Sequence, residues 1–219
     1  MFELGVLADD LTGGMMVASL LESEGVECPL VTSVDELAQI AESKATAVVV
    51  ARKIRLVDAA LAQEEAVSAV QALQDIGCKR FFYKYCATFD STEKGNIGPI
   101  ADAMLGAVGG RQTIFCPAFP RYTVTLVDGI LYLGKTPLGE SFKRDDPVTP
   151  MTNSNLVEVL QTQSQRQVGL ISREILSQGP DAIERHIQDG DATSFYITDA
   201  ADDEDMARIA DFALDWPLT

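Results

Sequence analysis

Short apolar runs alternating with segments of helical period constrain this chain more than any other feature. Runs rich in β-branched and aromatic residues occupy positions 4–8, 28–32, 47–51, 80–85 and 113–116, each long enough for a buried strand. Between them, positions 15–24, 34–42, 56–76 and 97–108 repeat apolar side chains at helical spacing, as Ala66, Val67, Val70 and Leu73 do. This βαβα order predicts an α/β fold: an open, mainly parallel sheet with helices on both faces, Rossmann-like. Ligands of such sheets are met at the carboxyl ends of the strands, near a reversal of strand order.

After Pro117 the pattern changes. Positions 125–127 and 130–133 flank Asp128-Gly129, a two-residue hairpin signal, so a β-hairpin insertion near residues 125–134 is predicted. A proline-rich stretch at 146–151 leads to a helix from about Asn155, and strands at 167–171 and 194–197 resume the alternation. With no internal repeat or flexible linker, the 219 residues are read as a single domain. Trp216-Pro217, after the last helix, resembles the start of a connection to a further domain.

A formal charge of -16 repels phosphate backbones and anionic lipid, which excludes nucleic acid and membrane surfaces as partners. A small anionic substrate then requires a local positive pocket built from named residues. The four cysteines form no CxxC pair and His186 is the sole histidine, so neither a disulfide framework nor a metal site is expected. The amino terminus has no basic segment, and no apolar run approaches the roughly 18 residues of a membrane span; an untargeted, cytoplasmic protein is expected.

Two segments can carry chemistry. Asp9, Asp10 and Thr12, with Gly13-Gly14 behind them, stand where the first strand should end and the first helix begin. Aspartates there can orient a polyol or deprotonate an attacking hydroxyl; equally, Asp10 or Thr12 can simply cap the helix. The second segment runs from Tyr83 to Pro99. In it Lys84 and Lys94 can neutralise a carboxylate, Asp90, Ser91, Thr92 and Asn96 can read hydroxyls, and Gly95 and Gly98 allow tight backbone geometry. Arg52, ending the third strand, adds another carboxylate clamp.

Other features read as structural. Gly129 to Thr136 matches the letters of a phosphate-binding loop, but its four intervening residues are large and apolar, and a strand is expected there instead. Cys86 and Cys116 have no nearby histidine to activate a thiolate. His186 is expected as an exposed helix residue, and the acidic run 199–205 as a cap on the last helix and otherwise a solvated face.

Ala8-Asp-Asp-Leu-Thr-Gly13, Tyr83-Lys-Tyr-Cys-Ala-Thr-Phe-Asp-Ser-Thr92, Gly95-Asn-Ile-Gly-Pro99, Cys116-Pro-Ala-Phe-Pro120 and Thr149-Pro-Met-Thr-Asn-Ser-Asn-Leu156 together closely resemble the four-carbon acid sugar kinase family. The resemblance spans almost the whole chain. It implies a two-domain kinase for threonate, erythronate or 3-oxo-tetronate, with the acid held by the N-terminal domain and ATP, with Mg²⁺, by the C-terminal one. The chain would then be the sugar-acid-binding domain alone, with a separate C-terminal kinase domain as partner and no cofactor-binding residues of its own.

Carried across, the resemblance assigns the acid to Asp9 and Asp10 as catalytic candidates and to Arg52, Lys84, Asp90, Ser91, Thr92 and Asn96 as binding residues, beside Thr12, Lys94 and Gly95 from the reading above. Thr123 and Val124 stand where many members carry Gly-Arg, and Asp145-Asp146 where some carry a histidine pair. A face left open by an absent domain also implies a homo-oligomer. Two functional readings stay open: half of a kinase, or a sugar-acid-binding module that is non-catalytic or inactive by itself.

Overall fold

A computed structural model of the chain describes residues 2–190 and 192–219. The chain folds as two compact units: Met1–Cys86 with Pro99–Gly110 and Pro217–Thr219, and Ala87–Gly98 with Arg111–Trp216.

The first unit opens with β1 (Leu4–Ala8) and α1 (Leu11–Ser23). The helix starts ahead of the expected position 15 because the Asp10 carboxylate accepts from Gly13 N at 2.6 Å and supplies the cap. There follow β2 (Leu30–Val31), a 3-10 turn at Val34–Glu36, α2 (Leu37–Ile40) and β3 (Ala47–Ala51). Then come α3 (Ala59–Asp75), capped by Asp58, β4 (Arg80–Lys84) and α4 (Ile97–Ala107), whose residues from Pro99 onward belong to this unit. The strands form one parallel sheet in the order β2-β3-β1-β4.

Strand parity assigns the faces. Val6, Ala8, Ala47, Val49 and Ala51 pack with Val17, Ala18 and Leu21 of α1. Gly5, of opposite parity, looks at α3, where a Cβ on it would lie 3.0 Å from Leu73 Cδ1. Helix α1 lies so close to the sheet that a Cβ on Gly14 would stand 2.8 Å from the Cβ of Ala51. From β1 the chain therefore leaves over one face and from β3 over the other. That divergence opens a crevice at the carboxyl ends of these two neighbours. Residues 217–219 pair parallel beside β4, with Phe81 N to Pro217 O at 2.9 Å and Tyr83 N to Thr219 O at 2.8 Å.

The second unit contains β5 (Thr113–Phe115), then the antiparallel strands β6 (Val124–Val127), β7 (Ile130–Leu133) and β8 (Thr136–Pro137). It continues with α5 (Leu156–Gln163), capped by Asn155, β9 (Gln167–Ile171), α6 (Arg173–Ser177) and α7 (Pro180–Asp189). The last elements are β10 (Thr193–Thr198) and α8 (Asp203–Ala213). Its parallel sheet runs β5-β10-β9. The parallel α/β class and the hairpin insertion are thus as the sequence reads, with the strands shared between two parallel sheets.

At the hairpin turn Asp128 and Gly129 have φ of 52° and 73°, the left-handed pair that a tight antiparallel turn needs. Asp199, at the end of β10, is fully buried and holds this turn by accepting from Asp128 N at 2.7 Å and Gly129 N at 2.9 Å. This corrects the reading of residues 199–205 as a solvated face. Asp202 does cap α8, but Asp205 is also buried, where it accepts from Arg173 Nε at 2.6 Å and Ala201 N at 3.0 Å. His186 needs a similar correction, since it is half-buried with Nε2 2.8 Å from the Leu170 carbonyl oxygen.

Thr123 closes the 3-10 turn Pro120–Tyr122 at φ 58°, at the position where the resembled family favours glycine. A β-branched residue there is strained by about 1–3 kcal/mol, partly offset by the lower unfolded-state entropy of threonine. Thr123→Gly is therefore expected to raise unfolding stability by about 0.5–1 kcal/mol in urea titration; an unchanged or lower midpoint would refute the strain.

Candidate functional site

The crevice between β1 and β3 is polar because three strands end in register there: Ala8 pairs with Ala51 on one side and with Lys84 on the other. Asp9, one residue on, donates its N–H to the Lys84 carbonyl at 3.0 Å and accepts from Ile54 N at 3.0 Å. Its side chain is 1% exposed. Arg55 grips it at both oxygens, Nε to Oδ2 at 3.0 Å and Nη2 to Oδ1 at 2.7 Å, and reaches Asp10 Oδ2 at 2.8 Å. Asp10 is 30% exposed on its side chain, so of the two aspartates it is the one that meets solvent. Lys84 donates to the Tyr85 carbonyl, and its Nζ lies 3.6 Å from where a Cβ on Gly13 would stand, at the mouth of α1.

Electrostatics follow from this packing. Burial pushes the Asp9 carboxyl above its ordinary value, opposed by the Arg55 hydrogen bonds and charge. Burial likewise works against the Arg55 charge, but the hydrogen bond and charge of Asp9 outweigh it and hold the guanidinium protonated. The two-point contact makes the charged pair the form this geometry supports. Burial lowers Lys84 below 10.5, partly countered by Asp9. Together these four side chains offer a partly exposed carboxylate, held by Arg55, that can accept from hydroxyls, and in Lys84 a cation that can attract an anion.

Arg55 was not foreseen from the sequence. The cation chosen there, Arg52, turns elsewhere: it donates to Glu65 Oε2 through Nε at 2.9 Å and to the Thr32 carbonyl at 2.7 Å. It lines a cavity of about 380 Å³ with Leu11, Lys53, Leu61 and Glu65. The run Arg52-Lys53-Ile54-Arg55 carries the signal, yet only the bend after β3 selects its second arginine. Thr12 is exposed on the first turn of α1.

Asp90, Ser91, Thr92, Lys94, Gly95 and Asn96 lie in the second unit. Asp90 accepts from Thr88 Oγ1 at 2.7 Å and pairs with Lys143 Nζ at 2.9 Å. Lys143 also pairs with Asp146 at 2.7 Å, and Asp146 accepts from Val148 N and Thr149 N. Burial alone would lower the Lys143 pKa; the hydrogen bonds to Asp146 and Asp90 raise it overall. The Lys143 hydrogen bond, followed by those two backbone donors, holds the Asp146 carboxyl well below the usual range.

Ser91 is buried and donates to Gln163 Oε1 at 3.1 Å, which also accepts from Gly98 N at 3.2 Å. Gly95 is obligatory in this loop because a Cβ there would stand 1.9 Å from Ser91 Oγ. Asn96 is buried and Lys94 exposed. Lys143 and Gln163 were also missed, since each acts on a loop far away in sequence.

Burial pushes the Cys116 thiol up to about 12, which removes it as a nucleophile at neutral pH. Among the described residues no group of three or more His, Cys, Asp and Glu is arranged to hold a metal, and no helix is long and apolar enough to cross a membrane.

Removing Arg55 would leave Asp9 buried with an unpaired charge, a loss of about 3–5 kcal/mol. Since the folded Asp9 value lies above the unfolded one, its contribution is fully present below the unfolded value and is lost as pH rises through the folded one. Arg55→Ala is expected to lose more stability against urea at pH 7.5 than at pH 5, relative to the parent. Equal losses at both would contradict the pairing. Asp146 has the opposite sign: its contribution is present above 3.8 and is lost as pH falls through the folded value. Asp146→Asn should flatten the acid limb of a thermal-stability profile, which an unaltered limb would disprove.

Known proteins resemble the whole chain. A Burkholderia multivorans protein named 3-oxo-tetronate kinase is 41% identical over 217 residues, covering 98% of this chain and 50% of its own length. A Haemophilus influenzae crystal structure superposes with a TM-score of 0.91 at 32% identity, covering 98% of this chain and 52% of that one. A Bordetella bronchiseptica structure, described as a domain-swapped dimer with bound citrate, superposes at 0.81 with 27% identity, covering 99% and 52%. The chain thus spans about half the length of these relatives. A family model described as a sugar-binding N-terminal domain matches residues 4–217, and the chain belongs to that family.

Proposed function

We propose that this chain is the substrate-binding half of an ATP-dependent kinase that phosphorylates a four-carbon sugar acid, of threonate, erythronate or 3-oxo-tetronate type, on a terminal hydroxyl. The observation that carries the reading is the cluster at the strand ends: Lys84 supplies positive charge for a carboxylate inside a chain of net charge -16, beside a partly exposed Asp10 that Arg55 holds in place. The name of the Burkholderia relative and the citrate held by the Bordetella protein support a small hydroxy acid as ligand.

In this reading Asp10 accepts the hydrogen bond of the reacting hydroxyl and takes its proton as the oxygen attacks. Asp9, with both oxygens on Arg55, fixes that arginine and does not itself meet substrate. For the second unit taken by itself, Asp90, Ser91, Thr92, Lys94, Gly95 and Asn96 are proposed to read hydroxyls. Arg52 and Thr12 fall outside the proposed contacts, Arg52 because its guanidinium is engaged by Glu65.

ATP with Mg²⁺ is implied by kinase chemistry. The one segment with phosphate-loop letters, 129–136, does not fit it, because Ile130–Leu133 is a strand paired with β6 on one side and β8 on the other. We therefore assign the nucleotide to the C-terminal portion of the longer relatives. A cytoplasmic location and a homo-oligomer complete the proposal, the latter supported by the two-copy assembly of the Bordetella protein.

Calorimetric titration of the chain with the three acids tests the binding half. Heat is expected with at least one, and Asp10→Asn and Lys84→Ala should each weaken it about tenfold or more, the size of a lost charge-assisted hydrogen bond. Lys84 binds an anion only while protonated, and its value is lowered, so affinity should decline before pH 10.5 is reached, and Lys84→Ala should lack that decline. No heat with any acid would overturn the assignment. Supplying ATP, Mg²⁺ and the C-terminal half of a 3-oxo-tetronate kinase tests the transfer itself, and binding without phosphorylation in that mixture would argue for a non-catalytic module.

A further inference from the structure

We infer that Tyr83 is a positioning residue: its buried, unpartnered hydroxyl is the donor that Asp9 takes up when a bound acid draws Arg55 towards Asp10. The inference rests on the proposed function above and lies wholly within the first unit.

Tyr83 is 3% exposed, and among the described residues its hydroxyl has no hydrogen-bond partner. A buried tyrosine normally finds one, because an unmet O–H costs free energy that a phenylalanine in the same packing avoids. The strand holds the group where it is. β4 is paired with β1 on one side and with residues 217–219 on the other, where Tyr83 N donates to Thr219 O at 2.8 Å. The Tyr85 ring packs beside it, 5.4 Å between centroids.

Register decides which charges the hydroxyl meets. Tyr83 pairs with Leu7, two residues before Asp9, so these side chains lie on the face that Gly5 presents to α3. Burial, and after it the charge of Asp9, pushes the Tyr83 hydroxyl well above its ordinary value, with Arg55 opposing. The group therefore keeps its proton and stands as a donor in the field of the Asp9–Arg55 pair.

That pair has one weak point. Arg55 Nε donates to Asp9 Oδ2 at 3.0 Å, whereas Nη2 is shared, 2.7 Å from Asp9 Oδ1 and 2.8 Å from Asp10 Oδ2. An acid held by Lys84 and Asp10 brings a further negative charge to the crevice side of the guanidinium and draws the shared Nη2 that way. Asp9 Oδ1 then loses its donor at a position only 1% exposed, and Tyr83 supplies another. The exchange favours the bound state, because only there is the tyrosine hydroxyl met.

Tyr83→Phe tests this by setting stability against affinity. Its urea midpoint should equal or exceed that of the parent, while calorimetry should show binding of the acid weakened at least about fivefold. A merely structural hydroxyl would do the reverse. A lower midpoint, or failure to fold, means that the hydroxyl is already met in the free chain, by a buried water or another group, and overturns the inference. So does an affinity within about twofold of the parent's. Saturating the parent with acid should also shift its tyrosine absorbance to the red, as a hydroxyl that begins to donate does, and Tyr83→Phe should lack that shift. A parent without the shift overturns the exchange. No heat with any of the three acids defeats the proposed function and this inference with it, whereas binding that Tyr83→Phe leaves intact defeats the inference alone.

Discussion

The bidentate contact between Asp9 and Arg55 is the interaction on which the first unit's strand ends depend. A carboxylate 1% exposed at the end of a central strand costs several kcal/mol unless a cation meets it, and Arg55 does so at both oxygens. The Asp9 backbone meanwhile joins the exits of β4 and β3 through Lys84 O and Ile54 N. One residue therefore sets where three strands stop. The same arginine orients Asp10, so the group proposed to touch substrate is placed by one that does not.

The second unit solves similar problems with other acids. Asp199 collects backbone donors from the hairpin turn, Asp205 takes Arg173, and Asp146 and Asp90 share Lys143. A net charge of -16 thus does not simply coat the surface: several of these carboxylates are interior acceptors around which loops close. Each is satisfied by partners remote in sequence. That is why an acidic run such as 199–205 looks like solvated surface when only its own residues are considered.

Much of the arrangement was legible beforehand. Strand and helix periods gave the α/β class, Asp128-Gly129 gave the hairpin, and the Asp9-Asp10 and Lys84 positions followed from where a strand should end. Those signals are local: a period of two or 3.6, a turn that needs positive φ, a cap. Partners were not legible. Arg52 and Arg55 both follow β3, and only the bend at Lys53 turns one towards Glu65 and the other towards Asp9. The division into two parallel sheets was equally hidden, since a buried strand carries the same residues whichever neighbour it pairs with.

By itself, then, the sequence determined the kinds of element, their order and the residue types at the strand ends, because these depend on neighbours within a few positions. Tertiary structure decided which cation serves which carboxylate, which of the two aspartates faces solvent, and that Lys143 is buried against Asp90. Those outcomes depend on desolvation and on distances between segments dozens of residues apart, quantities that no local pattern encodes.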